Sequence, residues 1–297
     1  MKQKSILPDA KQFRMSIGAA AVALAGLFIH APVMAQDAPP AAAQAAAADP
    51  ERTALARQML EAMDVQSMFR GTLSSLDSLV KTVPPKDQPR IQQLIASMTS
   101  AFDAITPELL GQAAEIYTQD LTTQEMQDTL AFYRTPSGQS VLKKTPEQMG
   151  QMFMMLNSGE RPDMTKIDPG LLALAHQVLD ATDAKSLLQS ALAPKELSPE
   201  DQKDLDAMMP DLLDMTAALY AQHLTQQEMQ DTLTFYRTPS GQSIRHKMPA
   251  LNAKMEPVTQ RLMKKMFAAT KTDYCAHRTC DDQDNAMFDA IQGGVGQ

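Results

Sequence analysis

A segment of twenty residues occurs twice in this chain of 297 residues. The first copy, residues 121–140, reads LTTQEMQDTLAFYRTPSGQS, and the second copy, residues 224–243, reads LTQQEMQDTLTFYRTPSGQS. They agree at 18 of 20 positions with a constant offset of 103 residues. The flanks agree less well, at 8 of 15 positions between residues 54–68 and 173–187, and at 3 of 12 positions directly after the shared segment. The chain is therefore an internal duplication, in which a constraint common to both copies or local gene conversion has kept the shared segment alike.

The composition indicates an all-α fold. Ala, Leu, Met, Gln, Glu and Lys dominate, and these residues favour helices, whereas aromatic residues make up only 5% of the chain and tryptophan is absent. Alternating runs of β-branched residues, which would indicate strands, are hard to find. We expect two tandem helical-bundle repeats, residues 51–160 and 168–269, each of about five helices.

The N-terminus has the order of a secretory signal peptide, in which basic residues precede an apolar run and small residues precede the cleavage point. The basic residues are Lys2, Lys4, Lys11 and Arg14. The apolar run, residues 17–29, is shorter than the roughly 20 residues that cross a bilayer, so an uncleaved anchor is the lesser interpretation. Cleavage of residues 1–35, after Ala35, predicts a periplasmic or secreted protein without a stable membrane span.

Two further segments flank the repeats. Residues 36–50 consist mostly of Ala, Pro and Gln and contain no large apolar side chain to bury, which predicts a disordered Ala/Pro-rich linker. Residues 270–297 are predicted to form a polar C-terminal tail that carries the two cysteines of the chain.

The predicted mature chain is acidic. Without residues 1–35 it keeps 23 basic and 34 acidic residues, a formal charge of −11 over 262 residues. Such a surface repels phosphate backbones. We therefore expect no nucleic-acid partner, and basic or neutral partners are favoured.

The shared segment encodes a helix, a one-residue hinge and a second helix. Thr followed three residues later by Glu is a capping box, which starts a helix. Thr-Pro ends that helix, because the residue before proline avoids the helical region and proline suits the first position of the next helix. A glycine in the first turn of the second helix lets the two helices cross closely. The residues of this structural motif are Thr122, Glu125, Pro136, Thr225, Glu228 and Pro239.

The strings T-x-x-E, F-Y and T-P-x-G resemble the helical motif of the domain of unknown function 2059 family, whose members look like exported bacterial all-helical proteins. The matching positions are Leu121, Thr122, Glu125, Phe132, Tyr133, Pro136 and Gly138, and in the second copy Leu224, Thr225, Glu228, Phe235, Tyr236, Pro239 and Gly241. A lysine that often follows the glycine by two positions in the family is replaced here by Ser140 and Ser243. The resemblance implies a fold and a compartment but no activity.

The hinge is also a candidate binding site. Free N–H groups at the start of the second helix, a guanidinium and hydroxyl groups could hold a carboxylate or a phosphate. These candidate binding residues are Tyr133, Arg134, Ser137, Gly138, Tyr236, Arg237, Ser240 and Gly241. A purely structural joint with a buried aromatic ring and a capping threonine is the favoured interpretation, because capping uses the same groups and is commoner.

Catalytic residues are not identified. Glu125 with Asp128, and Glu228 with Asp231, are pairs of carboxylates three residues apart, a spacing that suits acid and base catalysis or metal ligation, but the capping box and the helix dipole already explain them. The histidines of the mature chain do not recur at equivalent positions; they are His176, His223, His246 and His277. No hydrolase or phosphate-binding motif is present. We predict no cofactor and no metal site, and a hydrolase with an unidentified site remains an alternative.

Methionine is abundant, with 22 residues in the chain and 19 after removal of Met1, Met15 and Met34. Thioethers bind Cu(I), so a copper-binding protein is a second alternative. Many of the methionines lie on helical stripes, however, and methionine commonly fills cores and adaptable grooves. Those predicted as core include Met149, Met152, Met248, Met255 and Met266.

Cys275 and Cys280 are the only cysteines. In an oxidising exported compartment they are expected to form a local disulfide. A metal site of both cysteines with His277 and Asp281 is the weaker interpretation, because four ligands within seven residues are sterically poor.

Taken together, these patterns predict a non-enzymatic exported module that binds an unknown protein or small molecule. The binding surface is expected in a methionine-lined groove or along the hinges.

Overall fold

The computed structural model describes residues 49–67, 69–71, 80, 84–192, 199–282, 284, 285, 288 and 289. Every regular element within these ranges is helical, which confirms the predicted all-α class. The predicted signal peptide, residues 1–35, and nearly all of the predicted linker, residues 36–50, lie outside the described residues.

Within the described residues, the first repeat contains the helices α1 (Pro50–Ala62), α2 (Gln88–Asp120), α3 (Thr123–Tyr133) and α4 (Pro136–Ser158), and residues 65–67 and 69–71 are helical as well. Asp49 caps α1, since its carboxylate accepts a hydrogen bond from the backbone N–H of Glu51 at 3.0 Å. The last of these helices ends at Gly159, which has φ 72°. Glycine adopts this left-handed conformation without the steric cost of a side chain, so the helix stops there.

In the part of the second repeat that the structure describes, the helices are α5 (Pro169–Thr182), α6 (Ala184–Leu192), α7 (Pro199–His223), α8 (Gln226–Arg237) and α9 (Pro239–His277). A short 3₁₀ turn, Met164–Lys166, precedes α5. Asp168 caps α5 by accepting from the N–H of Leu171 at 2.9 Å. Helix α9 continues beyond residue 269, where the sequence predicts the end of the repeat.

The two repeats exchange their last helices. Helix α9 of the second repeat packs along α2 and against α3 of the first, and α4 of the first repeat packs against α7 and α8 of the second. One bundle therefore consists of α1, α2, α3 and α9, and the other consists of α4 to α8. The sequence predicts two bundles but not this exchange, because periodicity shows which face of a helix is buried and not which helix covers it.

The methionine stripe of α9 lies in the core of the first bundle. Met255 and Met266 are fully buried there, and Met248 packs at the edge of the same core. Met152 belongs to a smaller core with Met209 and Met215 of α7. The side chain of Met149 lies outside the described residues.

Part of the predicted polar tail packs on the first bundle. Tyr274 and Phe288 are buried with their rings in edge contact, 5.4 Å between centroids. The buried carboxylate of Asp284 accepts a hydrogen bond from the Tyr274 hydroxyl at 2.9 Å and pairs with Arg90 of α2 at 2.7 Å. The segment after α9 is thus held by both apolar contacts and a shielded ion pair, which its composition does not reveal.

The helices that the structure describes include none that is both long enough and apolar enough to cross a membrane.

Candidate functional site

The two hinges have the same geometry. The hydroxyl of Thr135 donates to the carbonyl oxygen of Phe132 at 2.7 Å and accepts from the N–H of Gly138 at 3.0 Å. Thr238 makes the equivalent bonds to Phe235 and Gly241, at 2.7 Å and 3.1 Å. Each threonine therefore closes the end of one helix and caps the start of the next.

The glycines at the hinges leave no room for a side chain. A β-carbon on Gly138 would overlap the carbonyl oxygen of Phe132 and lie 2.9 Å from Cα of Tyr133. A β-carbon on Gly241 would overlap the carbonyl oxygen of Phe235 and lie 2.7 Å from Cα of Tyr236. Glycine is thus required because the backbone of the preceding helix passes directly over it.

The capping-box glutamates reach across to the other repeat. Within its own helix, Glu125 accepts from the backbone N–H of Thr122 at 2.6 Å, the second half of the capping box. Its carboxylate also accepts from Nζ of Lys247 at 2.7 Å and from the hydroxyl of Ser243 at 2.5 Å, both on α9. The capping group of one repeat is therefore an ion-pair partner of the other.

The second glutamate makes the equivalent contacts, from the second repeat to the first. Glu228 accepts from the N–H of Thr225 at 2.7 Å and from Nζ of Lys144 on α4 at 2.7 Å and 2.8 Å. It also accepts a hydrogen bond from Ser140. The offset of 103 residues thus relates both ends of each pair, and the two halves are joined around an approximate two-fold axis.

A second reciprocal pair links the hinges. The hydroxyl of Ser137 donates to the carboxylate of Asp231 at 2.5 Å, and that of Ser240 donates to the carboxylate of Asp128 at 2.5 Å. Both serines are buried. A buried hydroxyl needs a partner, and here each repeat supplies the partner for the other.

Aromatic rings meet at the axis. Phe132 and Phe235 stack with their centroids 4.6 Å apart and an angle of 8° between the planes. Tyr133 and Tyr236 are hydrogen-bonded to each other through their hydroxyls. Burial raises the pKa of the neighbouring Tyr117 and Tyr220 to about 12. Equivalent aromatic side chains of both repeats therefore meet in one cluster at the axis.

The glutamates are ionised despite being buried. Burial alone would raise the pKa of Glu125, but the hydrogen bonds from Lys247, Ser243 and Thr122 outweigh it and lower that pKa to about 2. The pKa of Glu228 is also lowered to about 2, because bonds from Lys144, Ser140 and Thr225 outweigh its burial. Hydrogen bonds to the charged form favour ionisation, and a nearby ammonium adds to this effect.

These pKa values predict an acid-sensitive core. A carboxyl group whose folded pKa lies below its usual 4.5 stabilises the fold above pH 4.5, and this contribution is lost as pH falls toward 2. We expect each glutamate to contribute about 3 kcal/mol at neutral pH. In urea unfolding between pH 2 and pH 6, the double variant Glu125→Gln, Glu228→Gln should be less stable at pH 6 and show a flatter pH profile. Glu61→Gln, at an exposed position, is the control and should keep the wild-type profile, and an equally steep profile in the double variant would contradict the prediction.

The residues proposed from the sequence as a binding site lie in two different environments. Ser137 and Ser240 are bonded to carboxylates, and the N–H groups of Gly138 and Gly241 are bonded to capping threonines. The guanidinium groups of Arg134 and Arg237 lie at the surface. A shallow surface cavity of about 270 Å³ lies beside Arg237 and is also lined by Tyr236, Asp180 and Arg245. The serine hydroxyls and the glycine N–H groups are thus engaged in contacts within the protein, whereas the arginines are exposed.

Sequence reasoning missed Lys144 and Lys247 as members of the site. After the shared segment the two copies agree at only 3 of 12 positions, and one of these is the lysine pair. The other two are Pro146 with Pro249 and Met152 with Met255. The recurrence of a lysine at the same position in an otherwise divergent stretch could therefore have indicated the ion pairs.

The cysteine pair lies at the end of α9. Cys275 and Cys280 are at disulfide-bonding distance, with their Cα atoms 5.3 Å apart. Within the described part of the chain, no group of three or more His, Cys, Asp or Glu side chains is arranged to hold a metal ion.

Comparison with curated proteins and with solved structures found no match. A family model described as "Uncharacterized protein conserved in bacteria (DUF2059)" matches two regions, residues 107–158 and 210–269. Each region begins within the long helix that precedes the capping box, α2 in the first repeat and α7 in the second. It then includes the capping box, the hinge and all or most of the exchanged helix. Both regions of the chain are therefore similar to this uncharacterised bacterial domain, which is consistent with two copies of it.

Proposed function

We propose that the protein is a non-enzymatic, exported interaction module. Its partner binds at what we call the methionine-rich end, the exposed side chains of Met154, Met164 and Met208. Export rests on the signal-peptide pattern of residues 1–35. A binding role is favoured over a hydrolytic one because the carboxylates and hydroxyls of the motif hold the two repeats together. Groups committed to such contacts are poorly placed to move protons to a substrate.

The observation that carries this proposal is the nature of the exposed apolar side chains. Among the residues that the structure describes, the large hydrophobic side chains exposed to solvent are three methionines, Met154, Met164 and Met208. Met154 and Met208 lie on α4 and α7, the helices that supply Met152, Met209 and Met215 to the small core, and Met164 lies on the 3₁₀ turn between the repeats. Flexible methionine side chains adapt to partners of varied shape, so this surface suits an apolar segment of a protein or a small apolar molecule.

The abundance of methionine favours a second candidate, a Cu(I)-binding protein. Thioether sulfur is a soft ligand that prefers Cu(I), and the small core brings together Met152, Met209 and Met215. The two candidates differ in what they require of the side chain. Partner binding needs apolar volume, whereas copper binding needs sulfur.

Two triple variants separate them. Replacing Met154, Met164 and Met208 by serine removes apolar volume and sulfur from exposed positions, and should leave thermal stability unchanged. Replacing the same three by leucine keeps the volume and removes only the sulfur. We expect capture of a partner from an extract of exported proteins to be lost with serine and kept with leucine, as measured by quantitative mass spectrometry.

Cu(I) affinity of the same variants is measured by competition with a chromophoric chelator. An affinity that both substitutions abolish would support the copper alternative, and wild-type capture by the serine variant would refute a partner surface at this end. The matched control is Met263→Leu, a substitution within the first core, which should change neither measurement.

A further inference from the structure

The contacts between the two repeats are reciprocal. Each repeat presents acceptors on the helix before its hinge and donors on the helix after it. On the first repeat the acceptors are Glu125 and Asp128, and the donors are Ser137, Ser140 and Lys144. On the second repeat the acceptors are Glu228 and Asp231, and the donors are Ser240, Ser243 and Lys247. A surface that carries both members of each pair, related by a two-fold rotation, is complementary to a copy of itself.

The apolar contacts follow the same pattern. Phe132 stacks on Phe235 at the axis, and the first core combines side chains of α1 to α3 with those of α9. The smaller core combines Met152 of α4 with residues of α7. These two cores are shared between the repeats, whereas the buried residues of a third core all come from residues 167–233. Each half of the chain therefore exposes the apolar side chains of the shared cores when the other half is absent.

The covalent connection between the halves contributes little to these contacts. It runs from Gly159 to Asp168, and residues 158–161 within or next to it are exposed. The reciprocal contacts form between residues at the hinges and on the helices beside them, outside this connection. Association through the motif is therefore separable from the covalent link.

We propose that the motif is a self-complementary association module, so that each half of the chain is a specific partner for the other without a covalent bond between them. The partner that fits this surface is a second copy of the same motif, with its acidic helix, its hinge glycine and its serine and lysine helix. This inference does not depend on the function proposed for the methionine-rich end.

Cleavage of the folded full chain tests the proposal. A recognition sequence for a site-specific protease is inserted between Glu160 and Arg161, and the folded protein is cut to completion. We expect the two fragments to elute together in native buffer at the size of the intact protein, and to separate only in denaturant. Elution as two separate species in native buffer would overturn the proposal.

Charge reversal then tests whether the motif provides the specificity. In the cut protein, Lys144→Glu with Lys247→Glu places like charges opposite Glu228 and Glu125, and we expect the fragments to dissociate at least about tenfold more readily. The matched control is Lys143→Glu with Lys264→Glu, at exposed positions, which should leave dissociation unchanged. Equal dissociation of the two variants would show that the apolar faces alone join the halves and would overturn the role given to the motif.

If the inserted protease site lowers the melting temperature of the uncut chain, the site is inserted instead between Pro162 and Asp163.

Discussion

Gly138→Ala and Gly241→Ala should each destabilise the protein by about 3 kcal/mol or more, a large effect for the addition of one methyl group. The added β-carbon would overlap the carbonyl oxygen of Phe132 or Phe235, which is backbone and has no rotamer that moves it away. The helices on either side of the hinge must then separate, which also displaces the reciprocal bonds of Ser137 and Ser240. In thermal unfolding followed by circular dichroism we expect the melting temperature to fall by roughly 6–12 °C.

The same substitution elsewhere in the chain provides the control. A β-carbon on Gly111, in the middle of α2, would lie 3.4 Å from the guanidinium of Arg57, the flexible end of a side chain. Alanine favours a helix interior over glycine by up to about 1 kcal/mol, so Gly111→Ala should be neutral or stabilising. If all three alanine variants melted at the same temperature, the close crossing would not be the reason for glycine at the hinge.

Phe132→Ala and Phe235→Ala should each cost about 3–5 kcal/mol, because each removes a buried ring that stacks on its equivalent at the two-fold axis. Each variant leaves the other ring facing a cavity. The double variant should therefore lose less than the sum of the two single losses, with a coupling of roughly 0.5–3 kcal/mol. Urea unfolding monitored by circular dichroism gives the four values of this cycle.

Approximate symmetry adds a stricter requirement. Since the rings are 8% and 7% exposed and occupy equivalent positions, the two single variants should be destabilised to a similar extent. Tyr133→Phe with Tyr236→Phe is the control, because it keeps the rings and removes only the bond between the hydroxyls, at a cost of about 1 kcal/mol. If the loss of stability in the double alanine variant equalled the sum of the two single losses, the rings would not act as a pair.

Local features of the fold could be predicted from the sequence, because they depend on neighbouring residues. The capping residues Thr122 and Thr225, the stop before proline and the buried stripe of α9 each follow from side chains within a few positions. The exchange of the last helices could not be predicted in this way. Glu125 and Lys247 are 122 residues apart, and no local pattern states which helix a charged face will meet.

For the same reason, the sequence predicts the capping roles of the candidate site but not its contacts between the repeats. Read alone, Glu125 is a sufficient capping residue and Ser137 an ordinary first-turn serine, so nothing in either hinge demanded a distant partner. The unequal similarity of the two copies did contain that information. Because each motif contacts the other, a change on one side must be matched on the other, which favours a shared constraint as the reason for 18 identities in 20 positions.

Helix α9 ends at residue 277 and completes the core that begins at Ala56 in α1. During synthesis the chain emerges from its N-terminus, so the first bundle lacks one of its helices until α9 has been made. Contacts this distant in sequence slow folding, since a long loop must close before they form. The apolar face of the first repeat therefore stays exposed until the second repeat has been made. Because of this order of helices, we expect the N-terminal half to finish folding last and to be the part that a chaperone binds most.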